Sequence, residues 1–334
     1  MRYFLLMLCA AAAVGQSRQV AITIDDLPRG GDDWSRRDFA SVERVTAKLL
    51  EPLRGIPVIG FVNAGRAGDM GPAGLQNILR LWIASGATLG NHTWSHPDLN
   101  DVSLADYEAN ILRGEPPITQ ALGHRPLYFR HPFLHAGPTA EKRRGLDEFL
   151  AAHGYRIAPV TLDDSDWMFA FVYAQAMKDS DPALAARARD AYIPYMESIF
   201  AFFEERSKEV VGREFPQILL IHASQLNADT MPDLLAMMRR RGYRFVSLDE
   251  ALRDEAYKLP DDYVGRGGFS WIHRWSLTKG MPPKGEPNEP AWIREEYERR
   301  QQPASGSPVK VAHNAAGREL GLSSLSGPRA VRSK

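Results

Sequence analysis

Short apolar runs alternate with longer amphipathic segments over residues 19–252, and this rhythm restricts the fold more than any other feature of the chain. "QVAITI", "PVIGFV", "ATLG", "LYFR", "YRIAPV", "QILLIH" and "YRFVSL" read as strands. Helices fit the intervals 38–53, 73–85, 104–122, 139–153 and 231–241. Repeated β-α alternation predicts an α/β fold with a mostly parallel sheet, either open or closed into a barrel. One interval breaks the rhythm. Residues 168–214 read as a mostly helical insertion, with Asp179-Ser180-Asp181-Pro182 separating two helices. Its aromatic residues read as core contacts between those helices.

The ends of the chain differ from its middle. "MRYFLLMLCAAAAVGQS" carries one basic residue, an apolar run and then small residues, the pattern of a secretory signal peptide. Cleavage after Gly15 is expected, which places the protein outside the cell or in the periplasm without a retained membrane segment. Cys9 is the only cysteine, so the mature chain has neither a disulfide nor a thiolate metal ligand. Any metal must be held by His, Asp or Glu. Lys+Arg 41 balances Asp+Glu 41, so net charge gives no support for a nucleic-acid partner. The expected organisation is a signal segment 1–15, a catalytic unit 16–257, a Gly/Pro-rich extension 258–300 and a disordered tail 301–334. The extension reads as extended chain docked through Trp271, Trp275 and Trp292.

Chemistry-bearing residues recur where strands end. "ITIDDLP" places Asp25 and Asp26 side by side, although like charges repel and each prefers water. In "GNHTWSHPDL", His92 and His96 stand four apart, on one face of a helical turn or on a tight loop before Pro97. Two imidazoles and a carboxylate make a metal-ligand set that leaves positions open for water. Arg130 follows "LYF", Asp163, Asp164, Asp166 and Trp167 follow "APVT", and His222 ends "QILLIH". Taken singly, each is a cap, a turn or a satisfied core group. Together they share the C-terminal ends of parallel strands, where barrel enzymes keep their sites.

The order "TIDDLP", "HTWSH", "RHPF", "DDSDW", "LLIH" resembles the five motifs of the polysaccharide deacetylase family, the NodB-like carbohydrate esterases. The resemblance implies a distorted (β/α) barrel and a divalent-metal hydrolase that removes N- or O-acetyl groups from a glycan or oligosaccharide. It implies Asp26, His92 and His96 as ligands of the metal, zinc first, with cobalt, nickel or manganese as alternatives. It gives Asp25 the role of general base, held by Arg130, and His222 that of general acid, oriented by Asp166. The main-chain N–H near Phe133 would stabilise the oxyanion, and Trp167 would line the groove. Two departures stand out: Leu27-Pro28 replaces the usual glycine after the Asp pair, and the helical insertion walls one side of the groove. The competing readings are an amidase acting on a small non-sugar amide and an inactive glycan-binding protein. Retention of both Asp25 and His222 argues against the latter. His131 and His135, close to Arg130, are further candidates for substrate contact.

Export predicts a mature N-terminus close to Gln16. Intact-mass measurement of protein exported from a secretion-competent host checks this, and a full-length mass refutes it.

Overall fold

The computed structural model describes residues 18–30, 38–282 and 284–301. Its parallel strands are β1 (Arg18–Leu27), β2 (Val58–Val62), β3 (Thr88–Asn91), β4 (Tyr128–Phe129), β5 (Arg156–Ile157), β6 (Gln217–His222) and β7 (Tyr243–Phe245). Helices α1 (Phe39–Leu50), α2 (Gly71–Ala84), α3 (Leu104–Leu122) and α4 (Ala140–Ala152) join the first five strands. α5 (Asp166–Lys178) and α6 (Pro182–Val211) form the insertion, and α7 (Gln225–Arg240) joins β6 to β7. The short α8 (Leu248–Ala251) follows, and then come α9 (Trp271–Thr278) and α10 (Ala291–Gln301).

The sheet order is β5-β4-β3-β2-β1-β6, with β7 paired to the start of β1. Beyond β5 the chain runs on to a parallel bridge between Leu162 and Leu219 of β6. That bridge joins the two edges of the sheet, so the structure is a distorted (β/α) barrel, as expected. The closure is irregular because β4 and β5 are two residues long, shorter than the apolar runs that announced them. β1 is the central strand. Its β-branched Val20, Ile22, Thr23 and Ile24 suit a pleated surface, and every residue from Val20 to Leu27 is buried.

Helix boundaries follow capping chemistry. The side chains of Asp38, Ser103, Thr139 and Ser224 accept from backbone N–H groups in the first turns of α1, α3, α4 and α7. α7 starts six residues before the expected 231. Pro232 lies within the helix, whose Leu226, Ala228, Met231, Leu234 and Leu235 are all buried. The insertion breaks where expected, with Asp181 capping α6.

The extension is not simply extended chain. It forms α9 and α10, whose Trp271, Ile272, Trp275, Ile293 and Tyr297 join the main core. The partly buried Trp292 packs against the same core, and its ring also lies under the Arg187 guanidinium at 3.9 Å. Gly and Pro in the sequence masked helices that tertiary burial stabilises. The signal-segment expectation and the tail beyond Gln301 lie outside the described residues. Among the described residues, no helix is long and apolar enough to cross a membrane.

Trp275 is 1% exposed, so Trp275→Ala should cost about 3–5 kcal/mol, a typical range for truncating a buried aromatic. Denaturant unfolding measures this; a change within error would place Trp275 outside the cooperative core.

Candidate metal centre and acid–base site

β1 delivers both carboxylates through a local irregularity. Its register with β2 shifts between Ile24 and Leu27, and Asp26 adopts a left-handed φ of 67°. The adjacent side chains therefore do not simply alternate across the pleat. Gly30 lets the chain fold back over Asp26, since a Cβ there would lie 2.2 Å from Asp26 Cβ.

His92 follows β3 directly, and His96 lies on a tight loop rather than a helix, with φ 58° and its N–H donating to Thr93 Oγ1 at 3.0 Å. Asp26 Oδ1 lies 3.7 Å from His92 Nε2 and 3.6 Å from His96 Nε2. One ligand atom from each of the three residues falls within 4.8 Å of the others. His92 Nδ1 is 2.8 Å from the Arg130 carbonyl; donating there, it leaves Nε2 as a lone-pair donor toward Asp26. Burial, which outweighs the neighbouring carboxylates, lowers the pKa of His92 and takes that of His96 well below the usual value. Both imidazoles are thus neutral, and Asp26 Oδ1 is buried without a hydrogen-bond partner. A neutral His pair facing an orphaned carboxylate oxygen suits a divalent cation.

Asp26 has a second partner that the sequence did not reveal. Arg66, on the turn after β2, donates from Nη1 to Asp26 Oδ2 at 2.6 Å. Burial would raise the Asp26 pKa, but Arg66 above all, joined in the acid range by the protonated rings of His96, His222 and His92, holds it well below the usual carboxylate range. Arg66 stands in "GFVNAGR", just past a strand end, so the positional rule that found Arg130 could have found it.

Asp25 and His222 are register partners across β1 and β6. Arg130 is fully buried, donates to Thr23 Oγ1 at 2.8 Å, lies 3.5 Å from Asp25 Oδ2 and covers the Phe61 ring. His222 Nδ1 meets Asp166 Oδ1 at 2.6 Å, while Asp166 Oδ2 accepts from the His222 N–H and from Asn227 Nδ2. Burial would lower the His222 pKa, but the Asp166 charge and hydrogen bond, aided by Asp26 and Asp25, push it up to about 10.

A cavity of about 150 Å³ brings together Asp25, Asp26, His92, His96, His222, Trp167 and Phe133. Arg130 and Asp166 stand behind it, fully buried. Phe133 takes a left-handed φ of 57°, and its ring packs edge-on to His96 at 4.4 Å. The two additional histidines part company. His131 faces the cavity with neither ring nitrogen hydrogen-bonded, whereas His135 is engaged by Asp98 at 2.7 Å and is not among the cavity-lining residues. Leu220 of "LLIH" also lines the cavity, as do Phe171, Gly268 and Tyr297, which lie outside the five motifs.

A family model described as "Polysaccharide deacetylase" matches residues 13–154. The matched family is that of the polysaccharide deacetylases. This bears out the resemblance read from the five motifs. A chitin deacetylase from Colletotrichum lindemuthianum is 26% identical over 63% of this chain and 75% of its own length. A peptidoglycan-N-acetylglucosamine deacetylase from Bacillus cereus is 23% identical over 69% of this chain and 66% of its own. A solved peptidoglycan deacetylase from Bacillus subtilis aligns with a TM-score of 0.44 at 20% identity, covering 72% of this chain and 95% of that one.

The ligand set predicts about one divalent ion per chain, removed by a chelator and restored by zinc or cobalt. Asp26→Ala and His92→Ala should each lower occupancy sharply in elemental analysis after dialysis against limiting zinc. Parent-like occupancy in either variant would overturn the ligand assignment.

Proposed function

We propose that this chain is an exported, metal-dependent deacetylase that removes N- or O-linked acetyl groups from a carbohydrate. The observation that carries the reading is the meeting, in one cavity, of the Asp26-His92-His96 cluster with Asp25 and the Asp166-braced His222. A binding protein needs neither a proton acceptor nor a proton donor beside such a cluster. Chitin- and peptidoglycan-directed relatives support an N-acetylated amino sugar as the substrate class.

A divalent ion held by Asp26, His92 and His96, with zinc as the first choice, supplies a Lewis acid that polarises the acyl oxygen and acidifies water. Asp25 takes the proton of the attacking water as its oxygen bonds to the acyl carbon. Arg130, anchored on Thr23 and Phe61, faces the Asp25 carboxylate and fixes its position. The main-chain N–H near Phe133 stabilises the oxyanion of the tetrahedral intermediate. As the C–N or C–O bond breaks, His222 donates its proton to the departing nitrogen or oxygen, and acetate leaves. Asp166, grasping both the ring and the main chain of His222, sets the angle of that transfer. Trp167 bounds the cavity beside the acid.

His222 acts as an acid only while protonated, so activity should persist below its raised pKa and fall as pH climbs through it. A cation on Asp26 offsets the share of the rise due to Asp26 and Asp25 but leaves that due to Asp166. The zinc-loaded protein should therefore release acetate from N-acetylated chito-oligomers, with an alkaline limb that Asp166→Asn moves to lower pH. Asp25→Asn should retain metal and lose on the order of 10²-fold or more in rate. His222→Ala should largely spare an activated aryl acetate, whose leaving group needs little protonation. An alkaline limb unmoved in Asp166→Asn, or equal loss on both substrate types in His222→Ala, would remove His222 from the acid role.

A further inference from the structure

We infer that the C-terminal extension is the specificity element of this site: it walls the barrel mouth so that an isolated or chain-terminal acetylated sugar enters and an internal unit of a long glycan does not. The inference rests on the deacetylase reading. It assigns a role to residues 268 and 297, which lie outside the five motifs.

The extension reaches the cavity at two points. Beside His96, Gly268 lies against the Phe133 turn so closely that a Cβ at 268 would stand 1.8 Å from the Phe133 carbonyl oxygen. Only a residue without a side chain permits that contact, and Phe133 in turn packs on His96. Beside the acid, Tyr297 of α10 meets Trp167 edge-on at 5.1 Å and Phe171 at 5.0 Å, and all three rings line the cavity.

α10 and the chain before it are also fastened along α5, the helix that opens with Asp166. Ser165 Oγ donates to the buried Glu289 at 3.2 Å, and Glu289 is paired with Arg294. At the far end of α5, Arg300 pairs with Asp179. Tyr297 lies between these fastenings and is only 6% exposed. The wall is thus a packed part of the structure.

The cavity is also small, at about 150 Å³ below the roughly 300–1,000 Å³ usual for a ligand cleft. An internal sugar must send its chain out on both sides of the scissile group. Here the flanks beside His96 and beside Trp167 are both occupied by the extension.

The test is acetate release by the full, zinc-loaded chain from N-acetylglucosamine oligomers of increasing length and from a soluble N-acetylated polymer, as kcat/KM per acetyl group. The parent should favour the shortest substrates, or terminal units, by roughly tenfold or more, the scale of steric discrimination in a pocket. Tyr297→Ala should raise the ratio of long-chain to short-chain turnover, and Tyr297→Phe should leave that ratio as in the parent. If Tyr297→Ala does not fold, Tyr297→Leu is read in its place. Equal parent turnover of polymer and short oligomers overturns the inference, as does an active Tyr297→Ala or Tyr297→Leu variant with an unmoved ratio. In either case, acetate release by the parent leaves the deacetylase reading standing. No acetate from any substrate overturns that reading, and this inference with it.

Discussion

Two neighbouring carboxylates at the end of the central strand can both be buried only if each has its own positive partner. Asp25 faces the guanidinium of Arg130, and Asp26 has Arg66 on one oxygen and the His92-His96 pair before the other. The irregular end of β1 makes this division possible by turning Asp26 out of simple alternation with Asp25. Much of the surrounding structure serves that arrangement. β2 and its following turn bring Arg66, β3 brings the histidines, and β4 brings Arg130.

The same economy governs His222, the proposed acid. Asp166 is a fully buried anion, a costly group unless its lone pairs are occupied. Its acceptor sites are filled by the His222 ring, the His222 main chain and Asn227. One carboxylate therefore fixes β6, α5 and α7 relative to one another while holding the imidazole at a set angle. Structural and chemical roles coincide in a single side chain.

Much of this was legible in the residues. Strand and helix alternation gave an α/β fold with a parallel sheet, the motif resemblance chose the barrel, and the rule that barrel sites gather at strand ends collected Asp25, Asp26, His92, His96, Arg130, Asp166 and His222. Local chemistry was less legible where tertiary burial overrides it. α7 runs through Pro232 because five apolar side chains gain more by burial than the missing hydrogen bond costs. The extension reads as loop, yet it folds into two helices against the core, since its Trp and Tyr residues find partners only once the barrel exists.

The sequence by itself determined the chemistry available: no cysteine beyond Cys9, two histidines four apart, paired carboxylates, and an arginine and a histidine at strand ends. Those facts depend on residue type and spacing along the chain. Only the tertiary structure decided how that chemistry is partnered and enclosed. Arg66 meets Asp26 from 40 residues away, and Tyr297 meets Trp167 from the last described helix. Such contacts carry no local periodicity, because they arise from the closing of the sheet and the docking of the extension, where distance in space no longer follows distance along the chain.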